Sequence, residues 1–555
     1  MRVSLRTSFG AIILFDFRAA FPSISHEYMW TCLTKLGMPR ELINMLRCFY
    51  HDNKHFIKVK GQHFPSFCAE SGIKQGCPLS PLLFAVVVDV FLKKLERLFP
   101  TSVSRVFADD IALVTDNFLL HSSRIMELFS EFGEISGLHL NLAKTVLIPL
   151  CRFDEGQFRQ WLLTYRPKWS DVSVQSCGKY LGFMIGPGKQ LNSWSKCIAK
   201  YQQRADIWSR LPVGLFFGVQ NYNTFVLSVL QYISQLEDVP QHVFDIEKNV
   251  VTRWVGGPGN WIHFDDLVNL DSLFSFPVRF RCLDHIDIAC KVRVAMYEID
   301  DVSQRAAALQ NDIIQASGTA QFDDSWYSQS HLLVLDRAVR WANANGVSND
   351  TVVNALNKCG EQPVNVFKVS IKKNFQKEVI AQLRSSPLLL FDARVRFRDK
   401  LSRWDLLLSL DEATHNTTLL FPRLRCLVTP RVMSAVLHTL FNGWCTRRRF
   451  QNRVSGCLFG CAADTSEDSI EHFVHCPKLF PFLDRFTKCG RFFVLDEFLL
   501  LNHLDLNDSE LKNRALSVAA IYAAHNRTRT TGLLQPSLCD FLRRTMMHLQ
   551  CPCHP

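Results

Sequence analysis

The sequence predicts an α+β unit over residues 1–190 followed by a mainly α-helical remainder. Three observations predict it. Short apolar, β-prone runs alternate with helical periodicity through the first third of the chain. Two of those runs end in aspartates. From Trp194 onward the apolar spacing is helical, broken by loops at Gly256–Gly259 and around Cys457–Cys476.

Taken in order, residues 9–17 read as a buried strand. Ser25 is placed to N-cap a helix from His26 to about Leu36, and a second helix follows Pro39. Extended runs at Phe56–Val59 and Phe64–Ala69 flank Gly61 as a hairpin. Pro78 and Pro81 open a long apolar helix to Leu98. A strand (Ser104–Ala108), a tight acidic turn and a second strand (Ile111–Thr115) precede a helix over Leu119–Ile135, and strands follow at Thr145–Leu150 and Lys179–Ile185.

The 555 residues are 47% hydrophobic and 21% charged, which suits packed domains and argues against long disorder. The net charge is +11, and Glu361–Arg453 alone carries 17 Lys+Arg against 7 Asp+Glu, an excess suited to a polyanionic partner or to a merely solvated surface. Nineteen cysteines are scattered without a compact framework, and Arg2 and Arg6 are followed only by a short apolar run, so no secretion signal is read and a reducing, intracellular setting is expected. The apolar stretch Leu82–Leu92 is interrupted by Asp89 and too short to span a bilayer; no membrane partner is expected.

The sharpest local feature is Val106-Phe-Ala-Asp-Asp-Ile-Ala-Leu-Val114, two acids between two apolar strands. An ordinary hairpin turn also fits that nonapeptide. A second apolar strand, Ala11-Ile-Ile-Leu-Phe15, ends in Asp16, and strand stability asks for no acid there. Adjacent carboxylates raise each other's proton affinity, a conflict that a divalent cation resolves. Asp16, Asp109 and Asp110 together therefore suggest a site for two Mg²⁺ ions and an in-line phosphoryl displacement.

These residues sit in a pattern that resembles the reverse transcriptases of non-LTR retrotransposons. Phe15-Asp-Phe-Arg-Ala-Ala-Phe-Pro-Ser-Ile24 resembles the first palm motif, and Phe107-Ala-Asp-Asp110 the Tyr/Phe-x-Asp-Asp motif. Between them, Gly72-Ile-Lys-Gln-Gly-Cys-Pro-Leu-Ser-Pro-Leu-Leu-Phe84 is similar to Gly-x-x-Gln-Gly-x-x-x-Ser-Pro. Ser136-Gly-Leu-His-Leu-Asn-Leu-Ala-Lys-Thr145 and Tyr180-Leu-Gly-Phe183 resemble the next motif and the primer-grip strand. A group II intron maturase is a related reading, which the Ser136–Thr145 motif and a late Cys/His cluster disfavour.

The resemblance implies an RNA-directed DNA polymerase palm taking an RNA template, a DNA primer and deoxynucleoside triphosphates. Asp16 and Asp109 would hold the metals, supported by Asp110. Phe21 would gate against a ribose 2′-hydroxyl, or serve simply as core; Gln75 and Gly76 would lie against nucleotide and template. Lys144 would be the acid that meets the departing pyrophosphate, or a solvated strand-edge lysine.

Residues 191–260 resemble in pattern a helical thumb, 261–450 a basic helical connecting region, and 481–555 a helical tail. Within 451–480, Cys457-x₃-Cys461 and His472-x₃-Cys476 present four soft or borderline ligands with a ten-residue loop between the pairs, suited to structural Zn²⁺; His475 rivals His472. The pattern resembles the Cys-Cys-His-Cys knuckle of the same elements, and its neighbours Arg447, Arg448, Arg449 and Arg453 fit a nucleic-acid contact in a nuclear or cytoplasmic ribonucleoprotein. Only 15 residues precede Asp16, where the family carries a fingers region, so the resemblance implies an N-terminally truncated right hand with weak or absent polymerase activity. The alternative is a catalytically dead remnant that binds nucleic acid and zinc.

Overall fold

The computed structural model describes the chain apart from residues 8, 191, 298–300, 317–321, 359–367, 386–392, 452–455, 463–465, 488–489, 533–537 and 551–555. It forms two units: Met1–Ser195 with Asp301–Asp336, and Lys196–Asp300 with Arg337–Pro555.

The first unit is built on a mixed sheet of order β4-β5-β1-β6-β7, from Val103–Phe107 (β4), Asp110–Thr115 (β5), Ala11–Phe15 (β1), Val146–Pro149 (β6) and Ser173–Val174 (β7). All pairings are antiparallel except β6 with β7. The strand β1 is apolar without alternation because both of its faces are covered. Ala11, Ile13 and Phe15 join Ile111, Leu113 and Leu147 in a core closed by helices Ser80–Leu98 and Phe118–Ser136. Ile12 and Leu14 face the other way, against Val146, Ile148, Tyr180 and Ile185. Residues far along the chain complete this second face: Trp326 and Tyr327 pack with Leu150, Ile12 and Val114, and the Trp326 indole donates to the Gly186 carbonyl at 3.1 Å. That packing is why residues 301–336 belong to the first unit.

The helices form where their start signals stand. Ser25 caps His26–Lys35, its hydroxyl accepting from the Tyr28 N–H at 3.3 Å, and Pro39 precedes Arg40–Tyr50. The hairpin of Lys54–Val59 (β2) and Gln62–Cys68 (β3) is exposed along its whole length. Residues Glu155–Tyr165, to which the sequence reading assigned nothing, form a helix capped by Asp154. Lys179–Ile185, expected as one strand, is instead a hairpin of Gly178–Tyr180 (β8) and Phe183–Ile185 (β9). Leu181 and Gly182 both take positive φ (48° and 91°), the geometry of a tight two-residue turn.

The second unit is helical in its described residues. An aromatic core joins Phe274, Phe397, Phe421 and Phe441, and Trp444 packs on Phe473, Tyr522 and His525. Part of the charge excess of residues 361–453 is answered from outside that stretch. Arg396 meets the fully buried Asp266 at 2.9 Å, Arg384 meets Asp271 at 2.6 Å and Arg423 meets Asp508 at 2.8 Å. A sum along the sequence counts cations whose partners lie elsewhere in it. Among the described residues no helix is long and apolar enough to cross a membrane.

Candidate functional site

The three carboxylates meet at one end of the sheet. Phe15 pairs with Ile111, so Asp16, the next residue, stands beside Asp110 on the neighbouring strand. Phe107 pairs with Asp110, which makes Ala108 and Asp109 the turn; the acidic tip expected at Asp109–Asp110 is displaced by one residue. The displacement puts Asp110 inside the ladder, where the sheet fixes its direction, and leaves Asp109 at the exposed tip. Ala108 holds φ at 51°, a left-handed backbone that costs an L-residue about 1 kcal/mol. The Asp110 carboxyl is held above the usual carboxylate range, first by burial, then by the charges of Asp109 and Asp16, against an opposing pull from Lys179. The charges of Asp16 and Asp109 both reach Asp110, and carboxylate oxygens brought near one another are the donor type a divalent cation takes.

The other residues singled out in the sequence are ranged about this end. The segment Asn141–Thr145 docks on the end of β1: the Asn141 N–H donates to the Asp16 carbonyl at 2.7 Å, and the Asp16 N–H approaches Thr145 Oγ1 at 3.5 Å. Lys144 is exposed on that turn. Phe21 stacks on Phe84 with ring centroids 4.5 Å apart and is only partly buried. The Gly72 and Ile73 N–H groups donate to the Ile24 and Phe21 carbonyls, both at 2.7 Å, fastening the glycine loop to the segment after β1. Gly72 has φ +88°, and a Cβ there would lie 2.5 Å from the Pro22 carbonyl oxygen. Gln75 and Gly76 are exposed on the same loop, and a Cβ on Gly76 would meet nothing within 4 Å.

Sequence reasoning missed Lys179. It stands next to Tyr180, whose hydroxyl donates to the Arg105 carbonyl at 3.2 Å and whose own acidity is reduced by burial and by Asp110. Tyr-Leu-Gly-Phe was legible as a two-residue turn, and reading it so would have brought Lys179 back over the sheet.

In the second unit, Cys457, Cys461, His472 and Cys476 have ligand atoms that all lie within 4.8 Å of one another. The Cys457 and Cys476 sulfurs are 3.7 Å apart, and Cys461 Sγ is 3.2 Å from His472 Nε2. Tetrahedral zinc with Zn–S bonds of about 2.3 Å has ligand-to-ligand edges of about 3.8 Å or less; the Cys457–Cys476 and Cys461–His472 edges meet that limit, and the group as a whole lies within 4.8 Å. His475, the rival ligand, is exposed and outside the group. Ser469 caps the helix Ile470–His475, orienting His472 inward. Asp468 accepts from the Arg447 N–H at 2.8 Å and from His525 Nε2 at 3.1 Å, tying the cluster to the helix Asp508–Thr531. The Cys457 thiol is drawn well below its ordinary range, chiefly because the Cys476 S–H donates to it.

Two of the neighbouring arginines are engaged within the fold. Arg448 is paired with Glu467 at 3.3 Å and Glu471 at 3.4 Å. The half-buried Arg449 donates to the Gly259 carbonyl at 3.3 Å. Arg447 is fixed through its backbone N–H, and Arg453 lies outside the described residues.

Residues 5–185 match the family described as reverse transcriptase (RNA-dependent DNA polymerase). The chain is 31% identical over 149 residues to the retrovirus-related Pol polyprotein from type-1 retrotransposable element R2 of Popillia japonica, a match covering 25% of this chain and 20% of that one. It is 28% identical over 134 residues to the corresponding polyprotein from type-2 retrotransposable element R2DM of Drosophila melanogaster, covering 23% and 13%. The chain thus aligns with about a fifth or less of the length of these relatives. Apo telomerase from Candida tropicalis, at 12% identity and TM-score 0.28 over 67% of this chain and 55% of that one, is too distant in shape to bear on the fold.

Proposed function

Because residues 5–185 belong to the reverse transcriptases of non-LTR retrotransposons, we propose that this chain contributes the palm of an RNA-directed DNA polymerase acting on an RNA template, a DNA primer and deoxynucleoside triphosphates. The observation that carries the reading is the meeting of Asp16, Asp109 and Asp110 across β1 and β5. Asp16 and Asp109 would hold two Mg²⁺ ions, with Asp110 supporting them. When bound, such a pair neutralises charge on the attacking and leaving oxygens of an in-line displacement. The chain's own residues then position and exclude. Gln75 and Gly76 offer an open backbone to nucleotide and template base, Phe21 narrows the space beside the ribose, and Lys144 supplies a cation on the turn next to Asp16.

Residues 191–260 are assigned as the thumb, 261–450 as the connecting region, 451–480 as the zinc knuckle and 481–555 as the tail. Cys457, Cys461, His472 and Cys476 would hold a structural Zn²⁺ with no open coordination position.

The test is primer extension on an RNA template with Mg²⁺. Extension by the wild-type chain, with a loss of about a thousandfold in Asp16→Asn, supports the polymerase. No extension, with RNA binding that survives Asp16→Asn but fails in Cys457→Ser, replaces it with a nucleic-acid-binding module.

A further inference from the structure

The second unit contains a cationic concavity that neither the carboxylate site nor the Cys/His cluster explains. Two adjoining cavities of about 570 and 540 Å³ share Arg431, Ala523 and Leu549 in their walls. The larger adds Arg253 and the backbone of Gly214 and Gly256; the smaller adds Arg527, Arg544 and His548. No carboxylate lines either one among the described residues. Some arginines of this unit face acids at short range, as Arg396, Arg384 and Arg423 do. Four guanidinium groups around a hollow without an acid in its wall differ from these in having no carboxylate lining the space they share.

The construction favours a particular ligand. The cations come from four segments of the chain, the helices Gln241–Trp254, Pro430–Leu440, Asp508–Thr531 and Leu538–Gln550, so their convergence is made by the fold and is invisible as a run in the sequence. The exposed Arg527 guanidinium lies 4.9 Å over the Phe541 ring, which holds the planar group beside an aromatic face. Gly214 and Gly256 both carry positive φ, and a Cβ on either would meet nothing within 4 Å, so their backbone stands open to the hollow. Guanidinium forks match phosphate oxygens in geometry and charge, and a series of them along a groove fits successive phosphates better than a single small anion.

We propose that the groove lined by Arg253, Arg431, Arg527 and Arg544 is a phosphate-backbone track for single-stranded nucleic acid. It is separate from the polymerase carboxylates and from the arginines beside the Cys/His cluster. The proposal needs the chain to bind nucleic acid, but not to polymerise it.

The test is fluorescence anisotropy of the full chain with a labelled 20-nucleotide oligo(U), measured across a salt series. An RNA duplex of equal length is run in parallel. The triple variant Arg431→Gln/Arg527→Gln/Arg544→Gln is compared with Arg491→Gln, whose native partner is Asp484. The triple variant is expected to bind oligo(U) about 100-fold more weakly, with the slope of log affinity against log salt shallower by about 2, while Arg491→Gln leaves both unchanged. Near-UV circular dichroism and zinc content matching the wild type exclude a folding defect; if the triple variant fails either, the three single variants are expected each to reduce the slope by about 0.7. An affinity within twofold of wild type with an unchanged slope would overturn the proposal. So would a loss confined to the duplex, which would make the groove a duplex site. Retained primer extension beside unchanged oligo(U) binding by the triple variant would refute the track and leave the polymerase standing. Absent extension with the expected slope change would do the reverse.

Discussion

Three carboxyl groups among the described residues are held above their ordinary range, Asp110 in the first unit and Glu247 and Asp287 in the second, and the surroundings of Asp110 and Glu247 differ in kind. Asp110 lies at the open end of a sheet with Asp109 and Asp16 as neighbours. Glu247 lies in the helical unit with almost no exposure, pushed up to about 8 mainly by burial. Its Oε1 accepts from the Tyr222 hydroxyl at 3.2 Å and from the Leu283 N–H at 2.9 Å, and Tyr222 in turn meets the Tyr201 hydroxyl at 3.1 Å. Glu247 needs a proton because water is gone and no cation replaces it. Asp110 has like charges added to partial burial, a conflict that a cation at an accessible edge removes. A raised pKa therefore does not mark a functional site by itself; the neighbours decide whether the group is waiting for a proton or for a metal.

The comparison breaks first at Asp110. Asp110→Asn removes one charge from a repelling group, so the thermal midpoint is expected to stay level or rise slightly while RNA-templated extension falls by about a thousandfold, roughly 4 kcal/mol of barrier. A midpoint that falls by several degrees with extension intact would reclassify Asp110 as a structural acid like Glu247.

Glu247 makes the opposite forecast. Its folded value of about 8 exceeds the ordinary 4.5, so between those limits the unfolded chain releases a proton that the folded chain keeps. The folded state binds more protons there, and stability falls as pH rises from about 4.5 to about 8, by on the order of a few kcal/mol. Glu247→Gln keeps an acceptor oxygen for Tyr222 and Leu283 but cannot ionise, so urea midpoints of the variant should lose this slope. A slope equal to wild type would show that Glu247 is solvated.

How these sites stand to the sequence differs for the same reason their chemistry does. The carboxylate end was legible because each strand carries its own acid within a short apolar run, Ala11–Asp16 and Val106–Asp110, and sheet pairing does the rest. The Cys/His cluster was legible because its pairs are local, and the structure gathers the four residues its spacing indicated. Glu247 was not legible: its partners Tyr201, Tyr222 and Leu283 come from separate segments, and nothing in the residues around it signals that they converge. The arginine groove failed to appear for the same reason. The hairpin β8–β9 and the one-residue displacement at Ala108–Asp109 were misread on a finer scale, where turn geometry decides and apolar patterning is silent. The return of residues 301–336 to the first unit rests on Trp326 and Tyr327 covering a sheet face that a reading of β1 alone cannot assign.

Smaller effects sharpen the picture of the carboxylate end. Gly72→Ala forces a Cβ against the Pro22 carbonyl in a backbone that L-residues rarely adopt, and is expected to cost about 2 kcal/mol, read from denaturant midpoints. A loss below about 0.5 kcal/mol would mean that the loop is not fastened to Pro22. The least effect, and the most specific, is Ala108→Gly. Glycine relieves the left-handed strain at φ 51°, worth about 1 kcal/mol, but returns some of that through greater freedom in the unfolded chain, so stability should change by less than about 1 kcal/mol. That freedom also loosens the tip that aims Asp109, so extension should slow by about tenfold although no carboxylate has been touched. Extension unchanged in Ala108→Gly would show that the strained alanine is incidental and that the ladder through Asp110 alone fixes the acids.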